Sequence, residues 1–276
     1  RRAGLIDMAT FVFFHAHPDD EAIFTGGTIA RLSADGHRCV VVMATAGELG
    51  RGAGPALGER RRREARVACA RLGAKRVVFL DHQDSGVATD PRDRPWGAFT
   101  EVKVEVAADH LAAIVEGERA AALVTYDPYG VYGHPDHVHA HRVAAAAAEL
   151  AGLATWYEVT VDREYLHFVD THVAHLAGAS ISPRPVVGTP SVEIGVTVDV
   201  RGALDRKLAA IAAHRSQVAD DPTFGADDGF EEVYGYEWFV RHGAPTELDE
   251  LDVLAGRRLA PTSRSARTRG RIGATR

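Results

Sequence analysis

Cysteine and long apolar runs are both scarce in this chain of 276 residues. The only two cysteines, Cys39 and Cys69, lie within apolar segments. Two such cysteines argue against a disulfide framework, so we expect a reducing, cytoplasmic compartment. No apolar run approaches the ~20 residues that a membrane-spanning helix needs. The first ten residues lack a long apolar stretch, so we predict no secretory signal.

Excess positive charge is also absent, apart from one stretch. The net charge of −6 argues against nucleic acid as the main partner. Residues 257–276, by contrast, contain seven arginines and no acidic residue. We predict a basic, disordered tail at residues 256–276 and a flexible leader at residues 1–8. Residues 9–255 are long enough for one α/β domain, whose oligomeric state the sequence leaves open.

Short apolar runs alternate with amphipathic segments through the first 161 residues. Strands are predicted at residues 11–14, 39–44, 76–80, 121–126 and 156–161. Helices are predicted at residues 26–34, 59–72, 102–116 and 136–150. This alternation is typical of parallel strands joined by crossover helices. We therefore predict an α/β fold, a Rossmann-like sandwich with a mostly parallel central sheet, whose core is residues 9–161.

The remainder of the chain is less regular and predicts a smaller C-terminal strand and helix portion. Residues 192–200 alternate like a strand, and residues 201–214 have helical periodicity. Residues 220–229 are predicted to form a loop, and the aromatic segment 234–240 to pack back on the core. The glycines at 26–27 do not form Gly-x-Gly-x-x-Gly, which argues against a nucleotide-binding Rossmann protein.

The first predicted strand runs directly into the sequence HAHPDDE, residues 15–21. Sites in open parallel sheets form at the carboxyl ends of strands, and imidazole and carboxylate are ligands of zinc. His17 and Asp20 can bind one ion from a single tight turn, with Asp19 beside it as general base for a water. The alternative is a turn in which Asp19 or Asp20 caps the next helix. His15 is expected to face the core.

The fourth predicted strand is followed by four histidines within HPDHVHAH, residues 134–141. A helix beginning at Asp136 would place His137 and His141 on one face and His139 elsewhere. His137 could then complete a set of three ligands that leaves one position open, as catalytic zinc requires. We expect His139 and His141 to be solvent-exposed. The two motifs should face each other if strands one and four are neighbours where the sheet changes direction.

The sequences AHPDDE, residues 16–21, and GHPDH, residues 133–137, together resemble the LmbE/PIG-L family of zinc-dependent N-deacetylases, which includes the mycothiol deacetylase. The resemblance implies that His17, Asp20 and His137 bind Zn²⁺ and that Asp19 is the general base. Fe²⁺ is an alternative physiological metal.

The same resemblance implies further roles near the metal. His134 would act as general acid or stabilise the charged intermediate, with Asp136 orienting it. Tyr132 would polarise the amide carbonyl. The implied substrate contacts are Arg61 (within four consecutive arginines), Glu48 and His214.

These residues together predict a metal-dependent hydrolase. It would remove an N-acetyl group from an N-acetylglucosamine-containing small molecule or glycoconjugate. One alternative is an amidase that cleaves a thiol conjugate with the same chemistry. Another is a non-catalytic zinc- or sugar-binding protein on the same scaffold, although Asp19 argues against it because a binding protein needs no base beside its metal.

Overall fold

Seven strands form one sheet in the computed structural model of the chain, which describes residues 8–52, 54, 56–88, 90–168, 187–219 and 230–254. The strands are β1 Thr10–His15, β2 Arg38–Thr45, β3 Arg76–His82, β4 Ala122–Tyr126, β5 Thr155–Thr160, β6 Val196–Asp199 and β7 Tyr236–Gly243. Their order across the sheet is β3-β2-β1-β4-β5-β7-β6.

The sheet is parallel from β3 to β5 and antiparallel at its other end. β1 pairs in parallel with both β2 and β4, while β7 runs antiparallel to β5 and β6. The chain therefore changes direction across the sheet between β1 and β4, where α/β folds form their binding crevices. This confirms the predicted α/β sandwich and places the two motifs at adjacent strand ends.

Helices cover the sheet between the strands. They include α1 Asp20–Phe24, α2 Gly26–Ala34, α3 Leu57–Leu72, α4 Val104–Gly117, α5 Gly130–Gly133, α6 Pro135–Leu150, α7 Leu204–Ile211, α8 Arg215–Val218 and α9 Phe230–Tyr234. The four predicted helices correspond to α2, α3, α4 and α6. No helix among the described residues is long and apolar enough to cross a membrane.

The first strand lies at the centre of the hydrophobic core. Phe11, Phe13 and Phe14 are fully buried, although successive side chains of a strand point to opposite faces. A strand covered on both faces reads as a continuous apolar run, as β1 does. The site at its end is therefore supported by a strand that is buried on both faces.

The C-terminal portion differs in detail from its predicted elements. Only Val196–Asp199 of the strand predicted at 192–200 is extended, because Ser191–Glu193 forms a 3-10 turn. The helix predicted at 201–214 shortens to α7, and the aromatic segment packs back on the core as β7. The predicted loop at 220–229 and most of the predicted leader and tail lie outside the described residues.

Candidate active site

The turn after β1 contains Asp19 and Asp20, and its backbone is strained at Asp19. Asp19 has φ 112°, a conformation that few non-glycine residues adopt and that is often found at functional sites. Its carbonyl accepts the first hydrogen bonds of α1, while its side chain makes no capping hydrogen bond. The capping alternative is therefore wrong for Asp19. The Asp20 carboxylate instead accepts a hydrogen bond of 2.9 Å from the backbone of His17.

The turn after β4 holds the second motif against the first. His134 begins α6, and its Nδ1 accepts a 3.2 Å hydrogen bond from the backbone of Asp136. The ring of His137 stacks on Tyr126 with 4.1 Å between the centroids. Val131, within this turn, has φ 64°, which is unfavourable for a β-branched residue. Both turns at the carboxyl ends of the central strands thus contain backbone strain.

One carboxylate oxygen connects the two motifs. Oδ2 of Asp20 lies 3.3 Å from Nδ1 of His17 and 3.3 Å from Nε2 of His137. The Tyr126 hydroxyl donates a 2.8 Å hydrogen bond to the same oxygen. All four side chains are buried. The predicted ligands His17, Asp20 and His137 therefore converge, and Tyr126, which the sequence analysis did not single out, fixes the carboxylate between the rings.

Two overlapping groups of side chains could hold a metal ion. Ring nitrogens of His17, His134 and His137 all lie within 4.8 Å of one another, as do the ligand atoms of His17, Asp84 and Asp136. Nε2 of His137 is buried and has no hydrogen-bond partner. This nitrogen lies 3.3 Å from Asp20 but makes no well-aligned hydrogen bond, which is costly for a buried imidazole without a ligand. The donors here therefore fit a divalent cation.

The cluster stabilises the charged forms of Asp20 and His17 but not that of His134. Burial opposes the ionised form of Asp20, yet the nearby His137 and His17 hold the pKa of Asp20 well below its usual range. Burial likewise opposes the charged form of His17, but hydrogen bonds to Asp136 and Asp20 raise the pKa of His17 well above normal. Burial lowers the pKa of His134 to about 4. The cluster therefore favours an ionised carboxylate between imidazoles.

Arg61 contacts the predicted general base directly. Its Nη2 lies 3.1 Å from Oδ2 of Asp19, and its other contacts are the carbonyls of Gly47 and Pro18. The residue is only 4% exposed. Burial raises the pKa of Asp19 to about 6, although the charge of Arg61 opposes this shift. Among the consecutive arginines Arg61 is thus the one that reaches the site, where it contacts Asp19.

Glu48 holds the backbone of Asp84, whose carboxylate approaches His17. Oε1 of Glu48 accepts a 2.9 Å hydrogen bond from the backbone of Asp84, while Oε2 is buried without a partner. Oδ1 of Asp84 lies 3.5 Å from Nε2 of His17. The sequence analysis missed Asp84, although it follows the carboxyl end of β3, where such residues are expected.

His214 lies behind Asp19 and has no exposed surface. Its Nε2 is 2.7 Å from Oε1 of Glu21, and the other oxygen of Glu21 accepts a 2.9 Å hydrogen bond from the backbone of Asp19. The structure therefore brings this predicted substrate-binding residue to the site, but at the back of the strained turn. His15 is also buried, as expected, and hydrogen-bonds Thr25.

Asp136 contacts a different histidine from the one predicted. Oδ2 of Asp136 lies 3.1 Å from Nε2 of His17 and accepts a 3.0 Å hydrogen bond from the backbone of Ser85. Its carboxylate therefore orients His17, which corrects the expectation that it orients His134.

Tyr132 is 56% exposed, and its ring lies edge-on to that of His137 with 5.1 Å between the centroids.

The prediction that His139 and His141 are solvent-exposed is wrong. His139 is 6% exposed and packs edge-on against Phe99. Nδ1 of His141 lies 3.1 Å from the carbonyl oxygen of Tyr126. Neither belongs to the two metal-binding groups. Helical spacing gave their relative directions correctly, but not the neighbours that cover them.

Comparison with known proteins identifies the family. The PIG-L family, described as GlcNAc-PI de-N-acetylase, matches residues 12–148. The 1D-myo-inositol 2-acetamido-2-deoxy-alpha-D-glucopyranoside deacetylase of Actinosynnema mirum is 34% identical over 268 residues, covering 88% of this chain and 95% of that protein. The deacetylase of the same name from Saccharomonospora viridis is 36% identical over 269 residues, covering 89% and 99%. The chain belongs to the PIG-L family.

Solved structures share the PIG-L fold of this chain. N,N'-diacetylchitobiose deacetylase from Pyrococcus horikoshii has a TM-score of 0.58 at 24% identity and covers 86% of this chain and 85% of its own. The conserved protein TT1542 from Thermus thermophilus has a TM-score of 0.58 at 22% identity, covering 87% and 97%. The predicted family and the predicted class, a hydrolase that removes N-acetyl groups from amino sugars, are confirmed. The thiol-conjugate amidase and the binding protein are not favoured.

Proposed function

We propose that this PIG-L protein releases acetate from an N-acetylglucosaminide, using zinc bound by His17, Asp20 and His137 and using Asp19 as general base. The observation that carries the proposal is the position of Oδ2 of Asp20, 3.3 Å from a ring nitrogen of each histidine. The Actinosynnema mirum relative is named for a glycoside of the same acetylated amino sugar, which supports this substrate class.

The donor set favours zinc over a hard cation. Two imidazoles and one carboxylate are a common ligand set of catalytic zinc, whereas calcium and magnesium prefer oxygen ligands. Iron accepts similar ligands, so Fe²⁺ is the alternative. When bound, zinc supplies Lewis acidity that activates a water and polarises an amide carbonyl.

The contacts of Asp19 support its proposed role as the base. Arg61 contacts Oδ2, and the carboxylate makes no helix cap, so Oδ1 can accept the proton of a water. Glu21 accepts a hydrogen bond from the backbone of Asp19, and His214 contacts the other oxygen of Glu21, so the two residues fix the position of the turn. We therefore assign His214 as a positioning residue, in preference to a direct substrate contact.

Tyr132 and His134 border the open side of the cluster. Burial and the charge of Asp20 raise the pKa of Tyr132, so its hydroxyl keeps the proton that it would donate to the developing oxyanion. His134 is placed to support the same oxyanion. The leaving amine receives its proton from Asp19, which took it from the water, in preference to His134, whose lowered pKa of about 4 leaves it neutral at pH 7.

The partner that this chemistry requires is a small amino-sugar derivative, with no role for nucleic acid. A cytoplasmic location is supported by the two cysteines, which are both free and buried.

The test combines metal content with acetate release. Asp19→Asn preserves shape but removes the base, so we expect it to retain zinc while kcat falls by about 10²-fold or more. His137→Ala should lose the metal. Elemental analysis of the purified proteins and acetate release from a panel of N-acetylglucosaminides measure the two effects separately.

A matched control is available at the end of β3. Asp81 also has a left-handed backbone, at φ 62°, but pairs with Arg62 at the surface. Asp81→Asn should therefore leave both metal content and kcat near those of the unmodified protein. Unchanged turnover in Asp19→Asn, or a full complement of zinc in His137→Ala, would refute the assigned roles.

A further inference from the structure

A cavity beside Tyr132 and His134 carries two guanidinium groups and no carboxylate. Its volume is about 520 Å³, and Arg94, Thr100 and Arg142 also line it. A cavity of this size is in the range that holds a small ligand, and is much larger than an acetyl group requires. Whatever part of the substrate lies here is therefore more than the group that is removed.

The two arginines keep donors for a ligand. Nε of Arg94 donates to the carbonyl of Ala88 at 3.0 Å, and Nη1 approaches the hydroxyl of Thr100 at 3.4 Å, so both partners are neutral. Both oxygens of Asp90 accept hydrogen bonds from Arg92, and Asp90 forms no hydrogen bond or ion pair with Arg94 in the described part of the chain.

Arg142 is exposed on α6 and forms no ion pair within the described residues. Both guanidinium groups therefore belong to a cavity lining that contains no acidic side chain.

The start of α6 adds to the positive potential. Pro135, Val138, His139 and Arg142 line the cavity at helical spacing, so one face of the first two turns borders it. The amino end of a helix carries partial positive charge. Nε2 of His139 is buried and has no hydrogen-bond partner, which leaves one more polar atom in this wall without a ligand.

We propose that this cavity, the arginine pocket formed by Arg94, Thr100, Arg142 and the start of α6, binds an anionic group on the aglycone of the amino-sugar substrate. Phosphate and carboxylate both fit, because a guanidinium group binds either one through paired, charge-assisted hydrogen bonds. The proposal rests on the proposed function, since the acetamide must reach the metal cluster while the aglycone occupies the adjoining cavity.

The test uses three N-acetylglucosaminides with the same aglycone, which is neutral in one, phosphorylated in the second and carboxylated in the third. We expect kcat/KM for at least one anionic substrate to exceed that for the neutral one by about 10-fold or more, mainly through a lower KM. The preference should weaken between 50 mM and 500 mM sodium chloride, as about a threefold shorter Debye length implies. The two anionic substrates distinguish phosphate from carboxylate.

Variants assign the preference to the pocket. Arg142→Gln alters an exposed side chain, and the Arg94→Gln/Arg142→Gln double variant removes both charges. We expect the anionic-to-neutral ratio to fall in the single variant and to approach 1 in the double variant. Arg119→Gln makes the same charge change at an exposed position after α4, at the other end of the sheet, and should keep the full ratio.

The outcomes separate the two proposals. Equal turnover of neutral and anionic substrates by the unmodified protein overturns the pocket assignment while the deacetylase function stands. A preference that persists in both arginine variants also overturns it. Failure to release acetate from any of the three substrates, with zinc bound, overturns the proposed function and the pocket together.

Discussion

The two ends of the parallel strands contain charged residues in opposite arrangements. At the carboxyl end, Asp20 and Asp136 are buried and contact histidines, while the partly buried Asp19 contacts Arg61. At the amino end, the carboxylate of Glu118 pairs with Arg38 and Arg76, whose side chains are exposed. Surface pairs contribute little to stability, whereas an uncompensated buried charge costs much more.

Backbone strain divides less sharply, since Arg119 at the amino end also has a left-handed φ, of 52°. Asp19 and Val131, both at the carboxyl end, adopt conformations that cost about 1–3 kcal/mol each. The buried phenylalanines of β1 support this end of the sheet. Buried charge is therefore concentrated where chemistry is proposed, and the strained residues Asp19 and Val131 lie beside it. Equivalent substitutions at the two ends should have unequal effects.

Among the further variants that test this comparison, Arg61→Gln should have the largest effect. Removing the guanidinium leaves the carboxylate of Asp19 without its buried partner, so we expect kcat/KM to fall by about 10- to 100-fold. Arg63→Gln, at an exposed position on the same helix, should change it by less than about twofold. Acetate-release kinetics of both variants measure the contrast, and equal activities would remove the assigned role of Arg61.

Two glycines offer a matched comparison of the two ends. Gly130 and Gly152 both have left-handed backbones, at φ 64° and 58°. A Cβ at Gly130 would lie 2.7 Å from Cβ of His137, whereas one at Gly152 would meet nothing within 4 Å. Gly152→Ala should cost about 1–2 kcal/mol from backbone strain alone.

Gly130→Ala should cost about 1–3 kcal/mol more than Gly152→Ala, because the methyl group must displace His137. It should also weaken zinc binding, which Gly152→Ala should not. Urea unfolding gives the free energies, and zinc titration gives the affinities. Equal losses of stability would show that the site end is no more tightly packed than the other.

The smallest expected effect is that of Glu118→Gln at the amino end. Hydrogen bonding from Arg38, and less from Arg76, lowers the pKa of Glu118. Its stabilising contribution is therefore present above the ordinary glutamate pKa of about 4.3 and is lost as pH falls through the lowered folded-state value. We expect a loss of about 0.2–1 kcal/mol at pH 7.

Urea unfolding at pH 7 and at acidic pH checks this sign. The difference between Glu118→Gln and the unmodified protein should shrink as pH falls. A difference that stays constant with pH would mean that the ion pairs do not contribute, and activity at pH 7 should be unchanged in either case.

Sequence reasoning predicted the parallel half of the fold because each of its elements has a local signal. The bounds of α2 agree at both ends with the prediction, and Gly73 ends α3 in the left-handed conformation that favours glycine. α1 was not predicted because five residues show no helical period. The helix predicted at 201–214 ends early, at Ile211, before His214 makes its contact with Glu21, and no local pattern encodes that contact.

The sequence predicted those metal-site residues that lie within the two short motifs, and missed those outside them. His17, Asp20 and His137 were predicted to converge because strands one and four were expected to be neighbours. Asp84 and Tyr126 were missed because each contacts the cluster from outside the two motifs, Asp84 from the loop after β3 and Tyr126 from the last position of β4. Long-range packing decides such contacts, and neither periodicity nor spacing records it.

Crystallographic location of zinc by its anomalous scattering is the most direct test of the central claim. We predict one ion about 2.0–2.2 Å from ligand atoms of His17, Asp20 and His137, with both oxygens of Asp19 beyond bonding distance. An ion bound instead among His17, Asp84 and Asp136, or one ligated by Asp19, would contradict the account.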